Sequence, residues 1–158
     1  MLKIFGSAIV LLVGIYLGNK LCSEQRIKLI TIEALIEFTE FIRTSIYTSR
    51  MPLMEIYALF DNKSLHERGF IYQLNQHGLK SALCTVSEYI SDKSLTTLNS
   101  FADNIGGMNT DTQLKLCEET TKLLNEEYKK QENIFSKKER IYKTLPILFA
   151  TSIIIMMI

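Results

Sequence analysis

The sequence has no tryptophan, two prolines and three cysteines among 158 residues. The scarcity of proline argues against a loop-rich or sandwich fold and favours helices in the middle of the chain. Cys22, Cys84 and Cys117 are far apart, odd in number and in no CxxC arrangement, so we expect no disulfide framework. The formal net charge is only +1. Because phosphate binding needs a concentrated basic face, no nucleic-acid partner is predicted.

Signatures of catalysis are also missing. The chain has no phosphate loop, no GxGxxG and no GxSxG, and Gly106-Gly107 is typical of a helix stop. His66 and His77 have no metal-ligand partner at a useful spacing. The acidic pairs along the C-terminal half are typical of a solvated helix face. We therefore predict a protein without enzymatic activity, with no catalytic residue, cofactor, metal site or small-molecule substrate.

Both ends of the chain are strongly apolar. Residues 4–17 carry no charge, and the stretch 2–21 has about the 20 residues needed to cross the hydrocarbon of a bilayer. The second run, 145–158, lies at the lower limit with about 17 residues when its approach is included. A cleaved signal peptide and a core helix are the alternatives, but no A-x-A site follows the first run. The sequence predicts a transmembrane helix at each end, residues 1–20 and 144–158, and leaves open whether the second spans fully.

Charge placement predicts the orientation of the part between these ends. Basic residues follow the first apolar run and precede the second, and the positive-inside rule assigns both clusters to the cytoplasm. The clusters are Lys20, Arg26 and Lys28, then Lys137, Lys138, Arg140 and Lys143. Residues 21–143 are therefore predicted to form a cytoplasmic helical domain of a membrane protein.

Hydrophobic periodicity predicts two long helical arms within that domain. Ile32, Leu35, Ile42 and Ile46 recur at helical spacing, and a second apolar face includes Phe38. Near the other end, a period of 3.5 typical of a coiled-coil seam runs through positions 114, 117, 121, 124, 128, 131, 135, 138 and 142. The arms would measure about 45 and 50 Å, which predicts a long antiparallel hairpin.

Short helices are predicted between the arms. Pro52 suits the start of the first of them, Gly78 the end of the second, and Gly106-Gly107 the end of the fourth. Asn109 is a natural N-cap for the second arm. The predicted fold class is all-α: a long antiparallel helical hairpin with short capping helices and a transmembrane helix at each end.

Two segments carry a resemblance to a known family. YTSRMPLMEIY at 47–57 and NIGGMNTDTQLKL at 104–116, in this order and after the opening MLKIFGSAIVLLVGIYLG, resemble the stage III sporulation protein AB family over the whole chain. In the second segment Asn109 replaces the usual aspartate, which keeps a helix cap but removes its charge. The soluble domain of this family is similar to the helical domains of the type II secretion platform protein.

The resemblance implies a role in endospore formation. It implies that the protein belongs to a multiprotein, secretion-like channel between mother cell and forespore, located in the mother-cell membrane. The implied partners are the cytoplasmic ATPase, stage III sporulation protein AA, and the other membrane subunits of the assembly. We predict either an adaptor that docks the ATPase or a scaffold that only oligomerises with membrane subunits.

Candidate contact residues lie in two tip segments, defined as residues 50–57 and 106–113. In the alternative interpretation Met51-Pro52 and Gly106-Gly107 only mark the ends of helices. The candidates for partner binding are Arg50, Pro52, Leu53, Glu55, Gly106, Asn109 and Gln113.

Overall fold

The computed structural model describes residues 2–49 and 51–157, and these ranges contain helices and no strand, which confirms the all-α prediction. A single 3₁₀ turn, Ser87–Tyr89, follows the fifth α-helix. The α-helices are α1 Leu2–Ser49, α2 Leu53–Leu59, α3 Lys63–Glu67, α4 Phe70–His77, α5 Leu79–Val86, α6 Asp92–Asn104 and α7 Thr110–Met157.

The predicted transmembrane helix at each end is wrong. Within the described ranges, no helix combines the length and the apolar character that crossing a bilayer requires. The two apolar runs are not helices of their own: they form the ends of α1 and α7, each of which is a continuous helix of 48 residues. Both helices therefore also carry the charged and core-packing segments that adjoin those runs. The predicted boundaries after residues 20 and 143 stay a prediction.

The chain divides into two compact units, Lys28–Lys130 and the paired termini Met1–Ile27 with Gln131–Ile158. In the terminal unit, a groove of about 280 Å³ is lined by four residues of α1 between Asn19 and Arg26 and by Phe135 and Glu139 of α7. Several apolar side chains of this unit are exposed, among them Tyr16, Ile141 and Leu148. The candidate contact residues all belong to the other unit.

The core of the unit Lys28–Lys130 is built on one helix. Most of the predicted apolar positions of α1 are buried, although Ile30 is 40% exposed, and the apolar faces of α2, α4, α5 and α6 pack into the same cluster. The buried side chains of α1 in this cluster are Ile32, Ala34, Leu35, Phe38, Ile42 and Ile46. Because each capping helix is too short to be stable alone in water, burial against α1 supplies its stability.

The N-terminal half of α7 contributes its seam to the same core, as its 3.5-residue period predicts. Cys117 and Leu124 are buried in the cluster, and Leu114 and Tyr128 pack against it. One residue departs from the expected pattern: Glu127, interpreted from sequence as part of a solvated face, is only 7% exposed.

An aromatic cluster forms the centre of this core. The ring of Phe38 lies 5.0 Å from Phe60, 5.5 Å from Phe70 and 5.9 Å from Tyr57, measured between ring centroids. The Phe60 and Phe70 contacts are edge-to-face, an arrangement that aromatic quadrupoles favour. One side chain of α1 therefore fixes the positions of α2, the segment that follows it and α4.

Helix ends in the cap follow local signals. Gly78 ends α4 and begins α5 with φ 80° and ψ −179°, and its N–H donates to the Leu74 carbonyl oxygen. Helix α3, which the sequence analysis did not predict, begins at Asn62, whose side chain accepts a hydrogen bond from the Leu65 N–H at 3.2 Å. The buried Leu65 is the apolar anchor of that short helix.

Replacing Gly78 is expected to destabilise the protein through its backbone alone. An alanine Cβ at this position would meet no atom within 4 Å, but the φ of +80° with an extended ψ is a conformation that side-chain-bearing residues rarely adopt. We expect Gly78→Ala to lower the free energy of unfolding by about 1–3 kcal/mol, measured by urea denaturation followed by circular dichroism.

Gly107→Ala is the matched control, because Gly107 is equally open and has no positive φ. We expect a change within about 0.5 kcal/mol for this variant. Equal destabilisation by the two substitutions would contradict the backbone argument.

Candidate partner-binding surface

The fold brings the two predicted tip segments together. A Cβ added to Gly106 would lie 3.7 Å from the Cδ1 atom of Leu53, so the turn before α7 lies against the start of α2. Leu53 is half-buried and packs on the core, whereas Gly106 is exposed. These segments are far apart in the sequence, and the contact between Leu53 and Gly106 joins them at one place in the fold.

At the start of α2, Pro52 occupies the N-cap position rather than the first helical position. Its carbonyl oxygen accepts the Glu55 N–H at 3.0 Å and the Ile56 N–H at 3.2 Å. Glu55 is exposed in the first helical turn, where a carboxylate opposes the helix dipole. Pro52 therefore has a local structural role, and Glu55 is available on the surface. Arg50 lies outside the described residues.

At the start of α7, Asn109 caps the helix, and Gln113 forms a hydrogen bond back to the segment that precedes it. The Oδ1 atom of Asn109 accepts the Thr112 N–H at 2.9 Å, which confirms the predicted N-cap. Gln113 donates its side-chain Nε2–H to the Met108 carbonyl oxygen at 2.9 Å. Together these bonds fix the turn that carries Gly106, so each residue has a structural role in shaping the tip.

Exposed methionines lie close in sequence to the two residues of this contact. Met51, Met54 and Met108 are all exposed, Met54 to 62%. Methionine is flexible and polarizable, and it is frequent on surfaces that adapt to a partner. All three lie within the predicted tip segments, but none was among the candidate contact residues.

A groove of about 410 Å³ opens between α1 and α7 in the same unit. It is lined by Arg43, Thr44 and Tyr47 of α1 and by Leu114 and Glu118 of α7. Tyr47 is 75% exposed although it is a large aromatic side chain. Sequence reasoning missed this groove because its residues come from helices at opposite ends of the unit's sequence, and no local motif connects them.

Two buried titratable groups of the core have raised pKa values. Burial, with a smaller contribution from Cys117, raises the pKa of Tyr57 to about 12. Burial also raises the pKa of the Cys117 thiol to about 12; the nearby Arg43 opposes this shift and Glu40 adds to it. Since the thiolate is the strong nucleophile, the raised pKa keeps Cys117 in its weakly nucleophilic thiol form at neutral pH.

Among the residues that the structure describes, no group of three or more histidine, cysteine or acidic side chains is placed to hold a metal ion. The two histidines, His66 and His77, are both exposed. The described tip residues present apolar side chains and a carboxylate, Glu55, on the surface.

Comparison with known proteins gives the class of the chain. The family model for stage III sporulation protein AB matches residues 3–158. No curated protein and no solved structure shows significant similarity to the chain. The chain belongs to the stage III sporulation protein AB family, and its role is in sporulation. The family is one of structural sporulation proteins and is not known for enzymatic activity.

Proposed function

We propose that this protein is a non-enzymatic adaptor that docks the cytoplasmic ATPase, stage III sporulation protein AA, onto a secretion-like channel between mother cell and forespore. The other membrane subunits of that assembly are its further partners. The site of action in this proposal is the mother-cell membrane around the forespore, with the helical body on the cytoplasmic side. Family membership supports the sporulation role from which the proposal starts.

The observation that carries the adaptor proposal is the contact between the two tip segments. Leu53 and Gly106 meet at the surface, with Glu55 and the exposed methionines around them. The side-chain hydrogen bonds of Asn109 and Gln113 stabilise the start of α7 beside this contact. A pre-organised surface loses less conformational entropy on binding, which favours recognition of a folded partner such as an ATPase.

The test is co-purification of the ATPase with the full-length chain. We expect the double variant Arg50→Ala, Glu55→Ala to lower the affinity for the ATPase by about tenfold or more, because charged residues at an interface pair with the partner. Lys63→Ala, Glu67→Ala is the matched control: it also removes one cation and one anion, both exposed, from α3. Unchanged binding of the first double variant would show that the tip segments do not contact the ATPase.

The alternative function is a structural scaffold that oligomerises with membrane subunits and never contacts the ATPase. The exposed apolar side chains of the terminal unit, including Tyr16, Ile141 and Leu148, favour it because they could pack on other subunits. Co-purification of the full-length chain with membrane subunits, but without ATPase, would support this alternative.

A further inference from the structure

An exposed row of side chains on α7, in the terminal unit, has the pattern of one helix of a coiled coil, and we infer that it pairs with an acidic amphipathic helix of a partner protein. The row, called here the α7 row, consists of Ile134, Lys138, Ile141, Leu145 and Leu148. The inference does not depend on the adaptor proposal, because none of these residues belongs to the tip segments.

The α7 row is apolar and uncovered. Its four apolar side chains are between 41% and 60% exposed, so no other described part of the chain covers them. Single exposed apolar side chains are common on protein surfaces, whereas a continuous row of them marks a surface that binds a partner. Burial of these side chains would supply the free energy of that binding.

The spacing of the α7 row indicates that its partner is a helix. Successive members are four, three, four and three residues apart, which is the 3.5-residue period of a helix that pairs along its length with another helix. Lys138 occupies one core position of this period. A single lysine at such a position specifies the register of the pair at some cost in stability.

A groove on the α7 row has the geometry that receives a side chain of a facing helix. It measures about 340 Å³ and is lined by Lys137, Ile141, Thr144, Leu145 and Leu148. The last four of these are positions i, i+3, i+4 and i+7 of one helix, the set of four residues that forms the hole for one knob in coiled-coil packing. The groove therefore suits an apolar core side chain of a partner helix.

Charge around the α7 row favours an acidic partner. Lys137 lines the groove, Lys138 belongs to the row, and both are exposed. The stretch 131–143 contains four basic residues and two acidic ones. Both acidic residues lie on another face: Glu139 lines the groove shared with α1, and Glu132 is seven residues earlier on the same side of the helix. Carboxylates beside the core of the partner helix complement the lysines.

A second copy of this chain is a poorer match for the row. Pairing of the row with its own equivalent would bring the lysines of two copies to one interface, and like charges that face each other disfavour association. The charge of the row therefore favours a different chain over self-association.

The experiment measures binding of the full-length chain to two designed peptides of equal length by fluorescence anisotropy. Both peptides carry leucine at the a and d positions of the heptad, and they have either glutamate or lysine at the e and g positions. We expect the glutamate peptide to bind at least about tenfold more tightly than the lysine peptide. The difference should shrink at high salt, because salt screens exposed charge pairs.

Two variants test the row directly. Ile141→Ser removes an apolar side chain from the centre of the row and should weaken binding of the glutamate peptide by about tenfold. The double variant Lys137→Glu, Lys138→Glu reverses the charge beside the groove. It should reverse the preference, so that the lysine peptide binds more tightly than the glutamate peptide.

The chain offers a matched control for each variant. Leu123→Ser removes an apolar side chain of α7 that is 41% exposed and lies outside the row. Lys115→Glu, Lys122→Glu makes the same charge change at two exposed positions of α7 outside the row. Both controls should bind the glutamate peptide as the unchanged chain does.

Three results would overturn the inference. Equal binding of the two peptides would contradict an acidic partner. Binding of anionic phospholipid vesicles that Ile141→Ser abolishes, with neither peptide bound, would assign the row to a lipid surface. Self-association of the unchanged chain in sedimentation velocity, lost in Ile141→Ser and with neither peptide bound, would assign it to a second copy. Each of these results leaves the adaptor proposal as it is, because co-purification of the ATPase tests that proposal separately.

Discussion

Phe38→Ala is expected to lower the free energy of unfolding by about 3–5 kcal/mol, the cost of removing a large aromatic side chain from a packed core. Phe38 is fully buried, and its ring contacts Tyr57, Phe60 and Phe70 from different segments of the cap. The substitution removes apolar burial and leaves a cavity where these segments converge. It also removes edge-to-face contacts worth about 0.5–1.5 kcal/mol each.

The measurement is urea denaturation of the full-length chain, followed by far-ultraviolet circular dichroism. Phe38→Leu keeps an apolar side chain at the site and should cost less than Phe38→Ala. Tyr72→Ala removes an exposed aromatic and should change the stability by about 0.5 kcal/mol or less. If Phe38→Ala were no more destabilising than Tyr72→Ala, the aromatic cluster would not be the centre of the core.

The second large effect is a loss of stability at alkaline pH. Tyr57 is buried, and its pKa is raised from 10.0 to about 12 in the folded chain. Because the folded state holds the proton more tightly than the unfolded state, the stabilisation is fully present below pH 10. It is lost progressively as the pH rises from 10 through about 12, with a slope of up to about 1.4 kcal/mol per pH unit.

Cys117 also contributes to the loss of stability at alkaline pH, over a slightly wider pH range. The pKa of its thiol is raised from 9.0 to about 12, mainly by burial, so its contribution starts to fall near pH 9. The expected profile of unfolding free energy against pH therefore declines between pH 9 and 12. Titration of these two groups leaves the stability unchanged below that window.

Conservative variants identify the groups responsible for the alkaline decline. Tyr57→Phe keeps the ring that packs on Phe38 and removes the titrating hydroxyl, so the decline should become shallower between pH 10 and 12. Tyr72→Phe removes an exposed hydroxyl and should leave the profile as it is. A profile that Tyr57→Phe does not change would contradict the assignment.

Local sequence signals predicted the helices whose ends are marked by particular residues. Asn109 starts α7 and Gly78 ends α4, because a side-chain acceptor and a positive φ are requirements that few residue types meet. The apolar periodicity of α1 likewise predicted which of its faces is buried, since helical spacing alone determines which residues share a face.

Features that depend on neighbouring elements were not predictable from sequence in this way. Helix α3 has a single buried apolar residue, Leu65, and therefore no periodicity to detect. The heptad pattern predicts that Glu127 is exposed to solvent, but the packing of its neighbours buries it. The predicted membrane spans rested on the apolar composition of the ends, but among the described residues no helix is both long and apolar enough to cross a membrane.

One part of the candidate site was predictable from the sequence, and another part was not. Sequence motifs selected the two tip segments, and the structure places Leu53 against Gly106. The groove of Tyr47 and Glu118 has no sequence signature, because its walls come from two helices whose relative placement is set by the core. Tertiary packing, rather than any local pattern, creates that part of the surface.

The construction of the core around α1 has a consequence during synthesis. The apolar face of α1 is synthesised before the short helices that cover it. Its last buried residue is Ile46, and the cap is complete only after Ile105 has been synthesised. At roughly 5–20 residues per second, that interval lasts roughly 3 to 12 seconds. For those seconds the nascent chain presents an uncovered hydrophobic stripe. During that interval, the apolar stripe of α1 is a surface to which ribosome-associated chaperones can bind.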